Sequence, residues 1–368
     1  MSANYRSSVC KNVNGLDIHF LEAGFEDPNN PLLVLLHGFP ELGFSWRYLI
    51  PSLAEQGFHV VAPDQRGFGK TTGWDNSYTG DLSSYSHKNL TKDIFDLVNA
   101  LGYETVECII GHDAGSAVAA WSSLIYPNIY KSVIMMSAPF TGTLEVPIIS
   151  NMSSEKNSSD IGKDLANLYR PRKHYRDYYR TIQANDDLMR SDIGLRSFIR
   201  AYYYNKSADW AQNNPFRLKY WTASELEKMP TYYIMDLNEN MPETVSKVMP
   251  SNSYNNSCQW LNEEDLTVYE TEYSRTGFQG GLNWYRASVS SGNKKELNSF
   301  LGSKIQIPAL FIAGKQDWGP YQIPGALSAM QYEIADQEIP IEFIDHAGHW
   351  VQQENPTEVI SAIMKFLS

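Results

Sequence analysis

The run Cys108-Ile109-Ile110-Gly111-His112-Asp113-Ala114-Gly115-Ser116 decides the fold of this chain. Its apolar start reads as the end of a buried strand, and Ser116-Ala117-Val118-Ala119-Ala120-Trp121 reads as the opening of a helix. Gly111 and Gly115 stand on either side of Asp113, so the chain can turn sharply enough to raise one side chain at the carboxyl edge of a sheet. In the G-x-S-x-G form of this turn the raised group is a serine hydroxyl; here it is a carboxylate. A serine attacks carbonyl carbon, whereas a carboxylate suits displacement at saturated carbon and leaves an ester on the protein. Asp113 is read as that nucleophile. The competing reading is an aspartate that only caps the following helix. Whether the other groups of a catalytic set follow in order decides between them.

Upstream, residues 11 to 24 predict a β-hairpin turning at Asn14-Gly15, with Leu16, Ile18 and Phe20 alternating toward a core. Pro31 to Leu36 is a continuous apolar run suited to a strand buried on both faces, and it ends in the loop His37-Gly38-Phe39-Pro40. A helix over Trp46 to Gln56 leads to a second buried strand, Phe58 to Ala62, and the loop Pro63-Asp64-Gln65-Arg66-Gly67-Phe68-Gly69. A helix over about Leu90 to Leu101 precedes the central run, and Tyr130 to Met136 is a further strand. Such alternation predicts a mostly parallel sheet flanked by helices, with its reactive groups at the carboxyl ends of the strands.

From about residue 140 to 300 the pattern changes. A polar linker at 150 to 158 opens a helical, aromatic-rich stretch containing Tyr175, Tyr178, Tyr179, Tyr202-Tyr203-Tyr204, Trp221, Trp284 and Tyr285. It reads as a helical lid (141–300) inserted between two parts of one α/β core (1–140 and 301–368). The βα pattern then resumes with a strand over Pro308 to Ala313, a helix over Gln322 to Ala335, a strand over Ile339 to Ile344 and an amphipathic helix over Pro356 to Leu367.

Each resumed strand ends on a useful group: Asp317 in Gly314-Lys315-Gln316-Asp317-Trp318, and His349 in Asp345-His346-Ala347-Gly348-His349-Trp350. The order nucleophile, insertion, acid, histidine is that of the α/β-hydrolase triad. An imidazole supplies a base near neutrality, and the acid fixes its tautomer. His349 is preferred to His346, which shapes the turn, and Asp317 to Asp345, which adjoins the histidine. His112 is read as structural, and His19, His59, His87 and His174 as surface or packing residues.

Among 368 residues, 42 acidic against 30 basic give a formal net charge of -12, and there is no long basic run. Nucleic acid and anionic membrane are therefore poor partners. Three widely spaced cysteines, Cys10, Cys108 and Cys258, form neither a disulfide framework nor a paired metal motif, which suits a reducing compartment. No run approaches the ~18 apolar residues of a membrane span. With no apolar leader at the amino end and no peroxisomal tripeptide at Lys365-Phe366-Leu367-Ser368, a cytoplasmic location is expected. Oligomeric state is left open.

The runs HGFPELGFSWRYL (37 to 49), DQRGFGKT (64 to 71), GHDAGS (111 to 116), GLNWYR (281 to 286) and HAGHWVQQENPTEV (346 to 359) resemble the soluble-type epoxide hydrolases of the α/β-hydrolase fold. The likeness extends from about residue 12 onward. It implies attack of Asp113 on an epoxide carbon, an Asp113 ester hydrolysed by water that His349 and Asp317 activate, and two lid tyrosines donating to the ring oxygen. Tyr285 matches one of them. The other falls in His174-Tyr175-Arg176-Asp177-Tyr178-Tyr179-Arg180, where Tyr178 is favoured over Tyr179 and Tyr175. The resemblance also implies an oxyanion hole from the backbone N–H groups of Phe39 and Ala114, and substrate contacts from Phe39, Trp350 and Trp284. Epoxide and water are the implied reactants, with no metal or organic cofactor. Ala114 departs from the tryptophan that usually follows the nucleophile. That residue holds the departing halide in haloalkane dehalogenases, so its absence counts against dehalogenation. A haloalkane dehalogenase and a non-catalytic small-molecule receptor on the same scaffold stay open as alternatives.

Overall fold

The computed structural model describes residues 4–143 and 160–368. The expected linker at 150–158 lies outside the described residues. Eight strands form one sheet: β1 (Arg6–Val13), β2 (Leu16–Ala23), β3 (Leu32–Leu36), β4 (His59–Pro63), β5 (Cys108–His112), β6 (Val133–Met136), β9 (Ala309–Gly314) and β10 (Ile341–Ile344). Their spatial order is β1-β2-β4-β3-β5-β6-β9-β10. β1, β2 and β4 pair antiparallel, and every pairing from β4 to β10 is parallel. The β1–β2 turn is Asn14-Gly15, both with positive φ (48° and 79°), as a tight hairpin requires.

The central strands are apolar at every position because both faces are covered. Val34, Leu36, Ile109, Val133, Met135 and Phe311 pack on one side of the sheet; Leu33, Leu35, Cys108, Ile110, Ile134 and Ile312 pack on the other. The alternation has the period of two that a pleated strand imposes. The helices include α1 (Leu49–Ala54), α2 (His87–Ala100), α3 (Ala114–Ile125) and the terminal α8 (Pro356–Leu367). The first two expected helices differ at their ends. Gly43–Trp46 is a separate 3-10 turn before α1, and α2 starts at His87, three residues before its first expected residue, with the Ser86 hydroxyl as its cap. The Gln322 to Ala335 expectation shortens to a helix over Ala326–Tyr332, started by Gly325 in the left-handed region.

Between β6 and β9 the described chain is mostly helical. It contains an antiparallel ribbon of β7 (Arg172–His174) and β8 (Ile234–Asp236), and the helices α4 (Tyr175–Tyr179), α5 (Leu195–Lys206), α6 (Glu263–Thr276) and α7 (Gln279–Ser288). This segment is fastened to the sheet's loops. Tyr203 donates its hydroxyl to the Pro40 carbonyl (2.9 Å), Tyr273 to the Glu41 carbonyl (3.1 Å), and the Trp350 indole to the Tyr203 carbonyl (2.8 Å). No helix among the described residues is long and apolar enough to cross a membrane. All three cysteines are free, and Cys108 and Cys258 are buried.

Candidate active site

Asp113 sits where β5 stops and α3 begins, with φ 52° and ψ −116°, a conformation that costs a non-glycine residue about 1–3 kcal/mol. The flanking glycines are needed for close approach. A Cβ on Gly111 would lie 2.1 Å from the Gly115 carbonyl oxygen, and one on Gly115 would lie 2.4 Å from that of Leu36. The Asp113 side chain makes no cap to α3, which removes the capping explanation for an aspartate here. Instead Oδ1 accepts the Phe39 backbone N–H (3.2 Å) and Oδ2 faces His349 Nε2 (3.6 Å).

His349 and Asp317 meet from the ends of β10 and β9, their Nδ1 and Oδ1 atoms 3.1 Å apart, and the Gly319 N–H donates to the same Oδ1 (2.7 Å). The carboxylate therefore accepts from Nδ1–H and leaves Nε2 as the basic nitrogen. The histidine loop is seated on the end of α5: His349 N–H donates to the Lys206 carbonyl (2.9 Å), and Glu354 accepts from the N–H groups of Ala208, Gly348 and Trp350. Gly348 is required there, since a Cβ would come within 2.6 Å of the Lys206 carbonyl oxygen.

Charges in this enclosed site shift the groups in useful directions. Burial pushes the Asp113 carboxyl up, but His349, Lys206, His112 and the Phe39 N–H together hold it below the usual aspartate range, so it is held as an anion. Burial and then Lys206 hold His349 below the usual imidazole range against the pull of Asp317, which keeps it neutral and able to take a proton. Burial opposes ionisation of Asp317 too, yet its pairing with His349 and the Gly319 N–H bring it below its ordinary value.

Behind Asp113, His112 is structural, as the sequence suggested. Its Nδ1 lies 2.6 Å from Glu41 Oε2 and its Nε2 lies 2.7 Å from the His349 carbonyl oxygen. Two acceptors require two N–H donors, so this ring is an imidazolium. Glu41 accepts also from Gly38 N–H, Gln352 and Gln353, tying the Phe39 loop, the turn at Asp113 and the histidine loop together. The sequence carried Glu41 in HGFPE without a sign of this role. His346 adopts the positive φ (55°) of a turn former, and Asp345 is paired on the surface with Lys315.

The three tyrosines of α4 have different surroundings. Tyr178, favoured from the sequence, donates its hydroxyl to Asp187 Oδ2 (3.0 Å), and the charges around it are those of Asp187 and Glu243. Tyr175 and Tyr285 instead feel the charge of Asp113, and burial raises both above the usual phenol range. Their rings are 6.1 Å apart and perpendicular within 10°, interplanar angle 80°. Tyr175 donates to Gln322 Oε1 (3.0 Å) and accepts from Arg176 Nε–H (3.2 Å). Tyr179 is fully buried and packs its ring on Phe39 and Tyr285.

Two of the expected substrate contacts are anchors. The Trp284 indole donates to the Arg66 carbonyl (2.9 Å) and packs on Phe68, fixing α7 and with it Tyr285. Trp350 is fully buried, stacked on Tyr203 at 4.1 Å and edge-on to His349 at 4.7 Å. Phe39 keeps its ring against Tyr179 and Tyr285.

The sequence profile of the α/β hydrolase fold family matches residues 31–356. The chain is 30% identical to epoxide hydrolase A of Mycobacterium tuberculosis over 360 residues, covering 97% of this chain and 95% of the relative. It is 29% identical to epoxide hydrolase B of the same organism over 361 residues, covering 97% and 96%. The crystal structure of epoxide hydrolase A from Mycobacterium thermoresistibile superposes with a TM-score of 0.74 at 29% identity, covering 99% of this chain and 98% of that one. Potato (Solanum tuberosum) epoxide hydrolase I superposes with a TM-score of 0.72 at 25% identity, covering 99% of both. With the carboxylate elbow and the acid and histidine in their loops, this chain belongs to the α/β-hydrolase-fold epoxide hydrolases, hydrolases that act on ether bonds.

Proposed function

We propose that the protein converts epoxides to vicinal diols in two steps through an ester on Asp113. Asp113 Oδ2 forms a bond to a ring carbon as that carbon's bond to the ring oxygen breaks. The electron pair goes to the oxygen, which takes hydrogen bonds and then a proton from Tyr285 and Tyr175. Tyr175 replaces Tyr178 in this role because it, and not Tyr178, lies in the field of Asp113. His349 Nε2 then removes a proton from water, and the hydroxide adds to the Asp113 ester carbonyl. Phe39 N–H, already on Oδ1, stabilises the oxyanion together with Ala114 N–H, the first of α3 and without an intrahelical acceptor. Collapse breaks the bond from the Asp113 carbonyl carbon to the substrate oxygen, which takes the proton held by His349 and leaves as the diol; the proton left on the Asp113 carboxyl returns to the tyrosinate, restoring both groups. In this reading the segment 141–300 is a cap that carries the tyrosines, and 1–140 with 301–368 is the core that carries the triad.

The observation that carries the proposal is the placement of His349 between two carboxylates, 3.1 Å from Asp317 and 3.6 Å from Asp113. The test is reaction of the purified protein with an aryl epoxide and a haloalkane in parallel. Diol without halide is expected, with activity lost by about 10⁴-fold or more in Asp113→Ala. Full activity of that variant, or halide without diol, overturns the proposal.

A further inference from the structure

Two cations beside the nucleophile have no carboxylate of their own among the described residues. Lys206, the last residue of α5, is 4% exposed, and its ammonium forms no hydrogen bond or ion pair there. It lies over three aromatic rings, those of Tyr233 at 5.0 Å, Tyr202 at 5.2 Å and Trp350 at 5.4 Å. Ring faces attract and position an ammonium without neutralising it. The anions nearest to it in effect are Asp113, then Asp317 and Glu41. Arg176, half-buried on α4, also lies in the field of Asp113. Its Nε–H and Nη2–H donate to two neutral acceptors, the Tyr175 hydroxyl (3.2 Å) and Gln322 Oε1 (3.5 Å). Its neighbour Asp177 is paired with Arg180 instead.

The other nearby carboxylates are committed. Asp317 holds His349 and the Gly319 N–H, and Glu41 holds the His112 imidazolium. Asp113 is thus the uncommitted anion whose charge acts on both cations, and ester formation removes that charge. With a neutral epoxide, the covalent intermediate would leave an ammonium and a guanidinium in an enclosed, low-dielectric site without a counter-charge, an expensive arrangement. A carboxylate on the substrate resolves this. It arrives with the epoxide, stays in the ester, and meets two cations that offset its repulsion from Asp113. It must also lie near the ring, because Arg176 is hydrogen-bonded to the ring-oxygen donor Tyr175 and the Lys206 ammonium lies 5.4 Å from the Trp350 ring, which stands edge-on to His349.

We propose that Lys206 and Arg176 form a carboxylate-binding subsite, and that the preferred substrates are epoxides bearing a carboxylate close to the ring, of the glycidate class. This assignment rests on the epoxide-opening reaction proposed above.

The test compares 3-phenylglycidate with its neutral primary amide, following kcat/KM in the wild type and the mass adduct that accumulates on His349→Gln. The wild type should prefer the acid by about tenfold or more, the effect of one or two charge-assisted hydrogen bonds. Lys206→Met and Arg176→Gln should each reduce that preference by about tenfold, mainly through KM, and Lys206→Arg should restore part of it. Should Lys206→Met fail to fold, Arg176→Gln carries the same comparison, since it removes no ion pair. Equal kcat/KM for acid and amide in the wild type, or an undiminished preference in the variants, overturns the subsite alone. Absence of any Asp113 adduct on His349→Gln with both compounds overturns the proposed reaction, and the subsite with it.

Discussion

His349 turns its two ring nitrogens toward two different carboxylates, Nδ1 to Asp317 at 3.1 Å and Nε2 to Asp113 at 3.6 Å. The first distance is a hydrogen bond; the second is too long for one. The imidazole is therefore oriented by Asp317 and left basic at Nε2, over the carboxyl group proposed to carry the ester. An ester formed on Asp113 sits beside the base that would hydrolyse it.

That division of labour predicts a trapped intermediate. In His349→Gln, ring opening by Asp113 should persist while hydrolysis slows by about 10²-fold or more, the usual scale of general-base catalysis. Intact-protein mass spectrometry after mixing with an epoxide should show a lasting adduct of the substrate's mass. Rapid return of the free protein would mean that another group activates the water.

The acid limb of the pH profile follows from the same ring. Burial, then Lys206 and His112, hold His349 below the ordinary imidazole value, and Asp317 pulls the other way. The neutral form is the base, so ester hydrolysis should be lost only as pH falls through this lowered pKa, below about 6.5. Ester formation neutralises Asp113, leaving Lys206, His112 and Asp317 as the charges facing the ring. Lys206→Met removes a depressing charge, so the limb should move to higher pH in single-turnover measurements of ester decay. A limb that stays put would place the Lys206 ammonium outside the reach of His349.

Stability should hinge on a pair remote from solvent. Glu41 and His112 are fully buried, 2.6 Å apart, and His112 also donates to the His349 carbonyl. Burial opposes charge on both, yet each partner's charge keeps Glu41 below and His112 above its ordinary value. Glu41→Gln leaves a buried imidazolium without its anion, and breaking such a pair costs about 3–5 kcal/mol. Denaturant unfolding followed by tryptophan fluorescence should show that loss. An unchanged midpoint would mean that His112 is neutral and the pair carries no charge.

The sheet and the elbow were legible in the sequence because their signals are local. Continuous apolar runs such as Leu32–Leu36 leave no room for an exposed face, and Gly111 and Gly115 announce a turn that no Cβ would survive. Asp317 and His349 were found by their position after a strand. The tyrosines were not legible in this way. Tyr175, Tyr178 and Tyr179 share one five-residue helix, where each step turns a side chain by about 100°, and their partners Gln322 and Asp187 lie elsewhere in the chain. Lys206 looks like any lysine closing an amphipathic helix, a position where a cation favours the helix dipole. Only packing against Tyr233 and Trp350, brought from distant segments, marks it as buried.

The tyrosine assignment yields the sharpest contrast between neighbours on one helix. Tyr175 carries a hydroxyl that donates to Gln322 and is made a better donor by Arg176, whose charge draws its pKa down against the rise caused by burial. Tyr178 carries one that donates to Asp187. Tyr175→Phe and Tyr285→Phe should each slow ester formation by about 10²-fold, the scale of losing one preorganised donor, with ester hydrolysis much less affected. Tyr178→Phe should form and hydrolyse the ester at rates near those of the wild type, losing about 1 kcal/mol of stability with its hydrogen bond to Asp187. Stopped-flow tryptophan fluorescence separates the two chemical steps. If Tyr178→Phe instead slowed ring opening and Tyr175→Phe did not, Tyr178 would have to turn from Asp187 toward Asp113 when substrate binds, and the ring-oxygen donors would be Tyr178 and Tyr285.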